Sequence, residues 1–116
     1  KKHTLLKNIF FKHNLSENEI AEYLLSSNCT IVPSYSEGFC FAAVEAISLG
    51  IPVISSGNGA LSEVISGKYI VFDPFCSESL LKSMLDAKKQ NWKNTPIKKF
   101  NLNETVEQYL ELYTKL

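Results

Sequence analysis

Arginine is absent from these 116 residues; all twelve basic residues are lysines. No guanidinium fork is therefore available to clamp a phosphate or a carboxylate bidentately. A surplus of charge of either sign is missing too. Twelve acidic residues balance the twelve lysines, so charge alone directs the chain to no polyanion. Cysteine is sparse. Cys29, Cys40 and Cys76 are odd in number, far apart and without Cys-x-x-Cys or Cys/His spacing. That pattern holds no zinc motif and no disulfide framework, and the three read as free thiols in a reducing cytoplasm. No apolar run approaches the roughly 20 residues of a membrane span, and no signal-peptide pattern is read at the start. The first residue is Lys1 rather than Met, and the chain is expected to be a piece of something longer. Repeats and low-complexity segments are lacking. What is present is globular composition, 45% apolar and 21% charged, enough for one small domain with one hydrophobic core.

The pattern along the chain alternates. "NIFF" at 8–11 reads as a short strand. A helix follows from Ser16, an N-cap with Glu19 as its capping-box partner and Ile20, Tyr23 and Leu24 as an apolar stripe. "CTIVPS" at 29–34 is a buried-type strand stopped by Pro33. Phe41 to Leu49 are good helix formers, and Gly50 is a C-terminal signal. "IPVISS" at 51–56 is another strand. "GNG" at 57–59 turns into a short helix around 60–66, ended by Gly67. "YIVF" at 69–72 is a strand closed by Asp73-Pro74. An amphipathic helix with a polar cap starts at Ser77. "NWKNTP" breaks the pattern. A last helix runs from Asn103, with Val106, Tyr109, Leu110 and Tyr113 on one side as a core stripe. The fold class this implies is α/β, a three-layer parallel sheet of about four strands with helices on both faces. In such sheets ligands bind at the carboxyl ends of the strands, where loops run into helix N-termini.

The stretch "SYSEGFCFAAVEAISLG" at 34–50 sits at such a place. Gly38 lets the backbone come close to a ligand. A helix N-terminus just after it offers partial positive charge to a phosphate. Glu37 beside that anion site would repel phosphate unless it accepts hydrogen bonds from hydroxyls, as on a sugar. Glu45, eight residues on, lies about two turns away and could accept from a vicinal diol such as a ribose. Spacing alone favours a plainer account, an electrostatic cap at Glu37 and a solvated Glu45. The neighbours Ala42, Ala43, Val44, Ala46, Ile47 and Leu49 argue instead for a largely buried helix, whose carboxylate needs a partner. "SGNGAL" resembles a dinucleotide fingerprint, but Ser62 stands in place of the third glycine and the crossover is short. It is read as a tight turn at the ligand edge. Glu63 reads as a solvated or capping residue, and Cys29 and Cys76 as packing residues.

The segment "VPSYSEGFCFAAVEAISLGIPVISSGNGALSEVISGKYIVFDP", with "LSENEIAEYLLSSNCTIVPS" before it, resembles the donor-binding half of retaining glycosyltransferases of family GT4, which have the GT-B fold. Pro33, Ser34, Glu37, Gly38, Phe39, Glu45, Ala46, Gly50, Pro52, Val53, Glu63, Asp73 and Pro74 fall on the family pattern. The resemblance implies a partial Rossmann-like domain over 1–116, the later part of a C-terminal nucleotide-sugar-binding domain. It implies that Glu37, the catalytic position, faces the donor sugar hydroxyls and that the backbone of Gly38, Phe39 and Cys40 receives the diphosphate or sugar. Glu45 would hold the ribose, and Ser36 and His13 are placed among the donor-binding positions. Two departures stand out. Cys40 occupies a position where the family usually has glycine, which narrows the approach. His13 stands where the first loop usually has glycine, and an exposed loop histidine is the plainer account of it.

The function this implies is sugar transfer with retention from a nucleotide diphosphate donor to an acceptor sugar or lipid-linked sugar, in bacterial surface polysaccharide or glycolipid synthesis. The expected location is the cytoplasm, with the complete enzyme at the inner face of the membrane. No metal, no other cofactor and no nucleic acid is expected. The basic pair that neutralises the diphosphate in the family, and the acceptor domain, are not within these residues, so the segment alone is expected to be inactive. A non-catalytic nucleotide-binding or protein-interaction module with a Rossmann-like edge is the alternative, and a dinucleotide enzyme a weaker one. Two further expectations concern packing. Cys40, by a helix N-terminus, should react with a thiol reagent before Cys29 in its buried strand. With earlier strands missing, "CTIVPS" is left as an apolar edge. It should be repaired by dimerisation, including exchange of the first strand–helix unit, or by "NIFF" pairing beside it.

Overall fold

Val53 and Ile54 are neighbours in the chain and point to opposite faces of a sheet, and both are fully buried. A computed structural model, which describes residues 5–116, shows what covers them. The elements are a 3-10 turn (Leu5–Asn8), α1 (Glu17–Ser26), β1 (Thr30–Val32), α2 (Phe41–Ser48), β2 (Val53–Ser55), α3 (Leu61–Val64), β3 (Gly67–Val71), α4 (Ser77–Lys88), β4 (Lys93–Thr95) and α5 (Leu102–Thr114). The sheet order is β1-β2-β3-β4. β1, β2 and β3 are parallel, with Ile31 opposite Ile54 and Ile54 opposite Ile70. β4 closes the far edge antiparallel to β3. α2 and α3 cover one face, where Val53 packs with Ala43, Ala46, Ile47, Leu61 and Val64. α4 covers the other, where Ile54 packs with Phe72 and Ala87. The result is the three-layer, Rossmann-like α/β arrangement that the strand–helix alternation implies. Each of the large side chains so buried contributes about 1.5–3 kcal/mol.

Helix ends follow local chemistry. At α1 the Glu19 N–H donates to the Ser16 hydroxyl at 3.3 Å, and the Ser16 N–H donates to the Glu19 carboxylate at 2.8 Å, the reciprocal capping box. At the end of α2, Gly50 turns left-handed (φ +76°). Its N–H donates to the Ile47 carbonyl, and that of Ile51 to the Ala46 carbonyl, each at 2.9 Å, so the last carbonyls of the helix are satisfied.

Several expectations are corrected. "NIFF" is not a strand. Asn8 ends the 3-10 turn, and Ile9, Phe10 and Phe11 are exposed without a ladder partner among the described residues. The repair in which this segment pairs with "CTIVPS" is therefore not made, and among the described residues β1 is an edge strand bonded only to β2. The fourth strand is instead Lys93–Thr95, inside "NWKNTP". It has no apolar periodicity and is a strand only because β3 offers it a free edge. Gly67 opens β3 rather than ending α3; its left-handed backbone (φ +68°) places it against Ile97. α4 has no polar side-chain cap, since Cys76 holds the N-cap position. Neither α1 nor α5 buries a residue, so the Tyr109 and Tyr113 stripe is an exposed face rather than core. Among the described residues no helix is long and apolar enough to cross a membrane.

Candidate functional site

The carboxyl ends of β1 and β2 lie side by side, and the loops leaving them are tied together by hydroxyls. Ser56, almost fully buried, donates from Oγ to the Ser34 carbonyl at 2.6 Å. Ser34 donates from its own Oγ to Oε1 of Glu37, also at 2.6 Å. The Ala60 N–H donates to the Glu37 carbonyl at 3.2 Å. Glu37, half-buried, is thus held at both its side chain and its main chain. The "GNG" turn abuts it. Gly57 (φ +68°) and Gly59 (φ +58°) are both left-handed, and a Cβ on Gly59 would stand 3.1 Å from the Glu37 carbonyl oxygen. Only glycine fits there without moving the site loop.

Beyond Glu37 the chain enters α2. Gly38 is exposed, and a Cβ built on it would meet nothing within 4 Å among the described residues, so none of them fills the space before the helix. Ser36 is exposed, near Gly59. The Phe39 ring is half-buried between Phe41 and Phe100, edge-on to both at centroid distances of 5.1 and 5.0 Å. Phe100 arrives there on a strap, residues 96–100. The strap is anchored where the Lys98 N–H donates to the Ser66 hydroxyl at 3.0 Å and the Lys98 ammonium to the Glu63 carbonyl. Cys40 is the N-cap of α2. It is buried, left-handed (φ 71°, ψ 75°), and offers no side-chain cap. A non-glycine residue held in that region stores about 1–3 kcal/mol of strain. The Ala43 and Val44 N–H groups donate to the Cys40 carbonyl at 3.2 and 3.3 Å, and with no side-chain acceptor at the cap the N–H groups of Phe41 and Ala42, without a partner among the described residues, are left for an external one.

Glu45 departs from expectation. α2 keeps one exposed stripe, Phe41, Ala42, Glu45, Ser48 and Leu49, and Glu45 is on it. Its carboxylate has no hydrogen-bond or ion-pair partner among the described residues and needs none, because water reaches it. It lines a groove of about 410 Å³ between α1 and α2, with Glu17, Ile20, Ala21, Leu24, Ser48 and Leu49. So Glu37, Gly38, Phe39 and Cys40 converge at the amino end of α2, and Glu45 stands one turn along it, facing α1. His13 is exposed in the segment before α1 and makes no hydrogen bond or ion pair among the described residues. Its neighbour Lys12 lies 5.8 Å over the Tyr23 ring of α1.

The burial of the cysteines is the reverse of that assumed for their reactivity. Cys40 is buried, whereas Cys29, just before β1, and Cys76 are half-buried. Burial nonetheless pushes the Cys29 thiol up from its ordinary value. Asp73 accepts at Oδ1 from the Phe75 N–H at 2.9 Å, forming the turn into α4. Among the described residues no group of three or more His, Cys, Asp or Glu stands together as a metal site. What sequence reasoning missed is the serine pair behind Glu37. The residues Ser34 and Ser55-Ser56 were legible, but nothing in their spacing says that two loops 22 positions apart meet.

A family model described as "Glycosyl transferases group 1" matches residues 1–108. An MMP alpha-(1->4)-mannosyltransferase of Mycolicibacterium hassiacum is 45% identical over 51 residues, 44% of this chain and 12% of that protein. A putative teichuronic acid biosynthesis glycosyltransferase of Bacillus subtilis is 29% identical over 92 residues, 78% of this chain and 23% of that protein. A D-inositol 3-phosphate glycosyltransferase of Paenarthrobacter aurescens is 40% identical over 48 residues, 41% of this chain and 12% of that protein. The chain thus spans less than a quarter of the length of each of these three relatives.

Proposed function

The chain belongs to the group 1 glycosyl transferases, and we propose that the loop 34–40 with the amino end of α2 is the donor-binding edge of such an enzyme. The observation that carries this is the Glu37 carboxylate, held half-buried by the Ser34 hydroxyl beside a helix N-terminus whose cap residue supplies no side-chain acceptor. The uncapped N–H groups suit the diphosphate of a nucleotide sugar, and the field of α2 stabilises the charge that grows on it as the glycosidic bond breaks. Glu37, whose Oε2 has no partner among the described residues, accepts from a hydroxyl of the donor sugar. The open space at Gly38 admits the ligand close to the backbone. Glu45, exposed and unpaired among the described residues, accepts from the ribose.

The whole protein, on this reading, transfers the sugar to an acceptor sugar or lipid-linked sugar with retention, in the cytoplasm at the membrane's inner face. A role in surface polysaccharide or glycolipid synthesis is supported by the teichuronic acid name of one relative. These 116 residues by themselves bind donor and do not transfer it.

The test is titration of GDP-mannose and UDP-glucose into the chain, followed by amide shifts. Perturbation should centre on residues 36–42 and reach Glu45. In the complete enzyme, Glu45→Ala should weaken donor binding, and Glu37→Ala should lower turnover more than affinity. Shifts scattered away from the loop, or unchanged kinetics in both variants, would overturn the assignment. Sugar-independent binding of the nucleotide alone would favour a non-catalytic module.

A further inference from the structure

The Glu37 side chain is fixed by a hydrogen bond from a second side chain of the proposed donor loop, and that partner has a support of its own. The Ser34 hydroxyl donates to Oε1 of Glu37 at 2.6 Å. The carbonyl of the same Ser34 accepts from the Ser56 hydroxyl at 2.6 Å. Ser56 is 4% exposed, at the end of the most buried strand of the sheet, and its N–H donates to the Val32 carbonyl at 3.3 Å. Ser55, fully buried beside it, accepts at Oγ from the Gly57 N–H at 3.2 Å. The end of β2 therefore grips the end of β1, and β1 grips the carboxylate.

We infer that Ser34 is the positioning residue of Glu37, with Ser56 as its anchor, and that the pair sets how Glu37 reads a sugar. A hydroxyl proton can go to only one acceptor at a time, and here it goes to Oε1. Hydrogen bonds to a carboxylate are the short, strong kind. One lone-pair site on Oε1 is thus taken within the protein, while Oε2 has no partner among the described residues. The carboxylate therefore presents Oε2 as its open oxygen to a sugar hydroxyl, with Oε1 already sharing its charge with Ser34. The Ser34 bond also removes rotamer freedom that an exposed glutamate would otherwise lose on binding. The inference rests on the donor reading of Glu37 only for its sugar clause; the fixing of the side chain stands on the hydrogen bonds.

The experiment has two arms. In the first, three-bond Hα–Hβ couplings of Glu37 are measured by NMR on the free chain. Wild type should show one conformer, Ser34→Ala an average over several, and Ser34→Thr, which keeps the hydroxyl, one conformer again. Averaged couplings in wild type, or a single conformer surviving in Ser34→Ala, would overturn the positioning role. If Ser34→Ala does not fold, wild type, Ser34→Thr and Ser56→Ala decide in the same way. In the second arm, GDP-mannose and UDP-glucose are titrated into each variant. Ser34→Ala should weaken binding about tenfold, as expected for loss of a bond that orders a charged acceptor, and Ser34→Thr should restore it. Ser34→Ala placed on Glu37→Gln should cost less than about a further twofold, because one acts through the other. Additive losses would make Ser34 a general structural residue and end the proposal. Wild-type binding in Glu37→Gln, or no binding by wild type, would remove the donor reading, while the couplings still decide the positioning.

Discussion

Between Val32 and Phe72 lie all the buried apolar residues of the described chain except Ala87, while α1 and α5 on either side bury none. Yet all three regions show apolar residues at regular spacing. The difference is in what each apolar residue meets. In the central unit, β2 is flanked by a strand on each side and by helices on both faces, so Val53 and Ile54 have no route to water. α5 has an apolar face, with Leu102, Val106, Tyr109, Leu110 and Tyr113 exposed, and nothing among the described residues lies on it. Periodicity thus marks a face as fit for burial without burying it, and stability should concentrate in the centre while the flanks depend on their caps.

The sharpest way to break that comparison is a pair of truncations. Leu61→Ala, at a site with no exposure, should cost about 2–5 kcal/mol in urea unfolding. Leu110→Ala, 58% exposed, should stay within about 0.5 kcal/mol. Equal losses would show that α5 is held as firmly as the core. Next in size is the cap of α1. Ser16→Ala should remove about 1 kcal/mol and fray the helix, read by amide exchange across residues 17–20; an unaffected first turn would mean that packing, not capping, holds it.

Within the centre, Cys40→Gly sharpens the contrast between burial and strain. It deletes a buried side chain but frees a left-handed backbone, so stability should remain within about 1 kcal/mol of wild type. A loss as large as that of Leu61→Ala would refute stored strain at the site. Burial should also order the thiols. A maleimide should label the half-buried Cys29 and Cys76 before Cys40, and mass spectrometry of peptides taken over time would show the reverse if the loop opens. The smallest effect concerns pH. The Glu19 carboxyl is held below its ordinary value of 4.5, first by the Ser16 N–H and then by the Ser16 hydroxyl. Its contribution to the cap is present above that ordinary value and is lost as pH falls through the lowered one. Exchange of the Ser16 amide should rise over that acidic window while amides of β2 hold steady.

Much of the fold could be read from local chemistry. Ser16 with Glu19, Gly50 after α2, and the turn at Asp73-Pro74 each act through neighbours a few residues away, so their elements were legible. The loop carrying Glu37 and Gly38 was placed by the same reasoning at the carboxyl end of β1. "NIFF" and "NWKNTP" were misread together, because a strand is a relation between two segments. Apolar Ile9, Phe10 and Phe11 pair with no strand among the described residues although the outer edge of β1 is open, while polar Lys93, Asn94 and Thr95 found the free edge of β3. Glu45 was expected to need a partner because α2 is rich in apolar residues, but composition does not say which side of a helix faces water.

The sequence by itself determined β1, β2 and β3 with the helices between them, the ends of α1 and α2, and the loop where a carboxylate meets a helix N-terminus, since all of these are settled over a few residues of backbone. Only the tertiary structure decided that Ser56 reaches Ser34 and that Ser34 in turn holds Glu37. It also decided that Gly59 must stay bare against the Glu37 backbone, and that the stripes of α1 and α5 lie open. These depend on which surfaces meet across the sheet. That meeting is governed by burial and close approach summed over the whole chain, which no local spacing records.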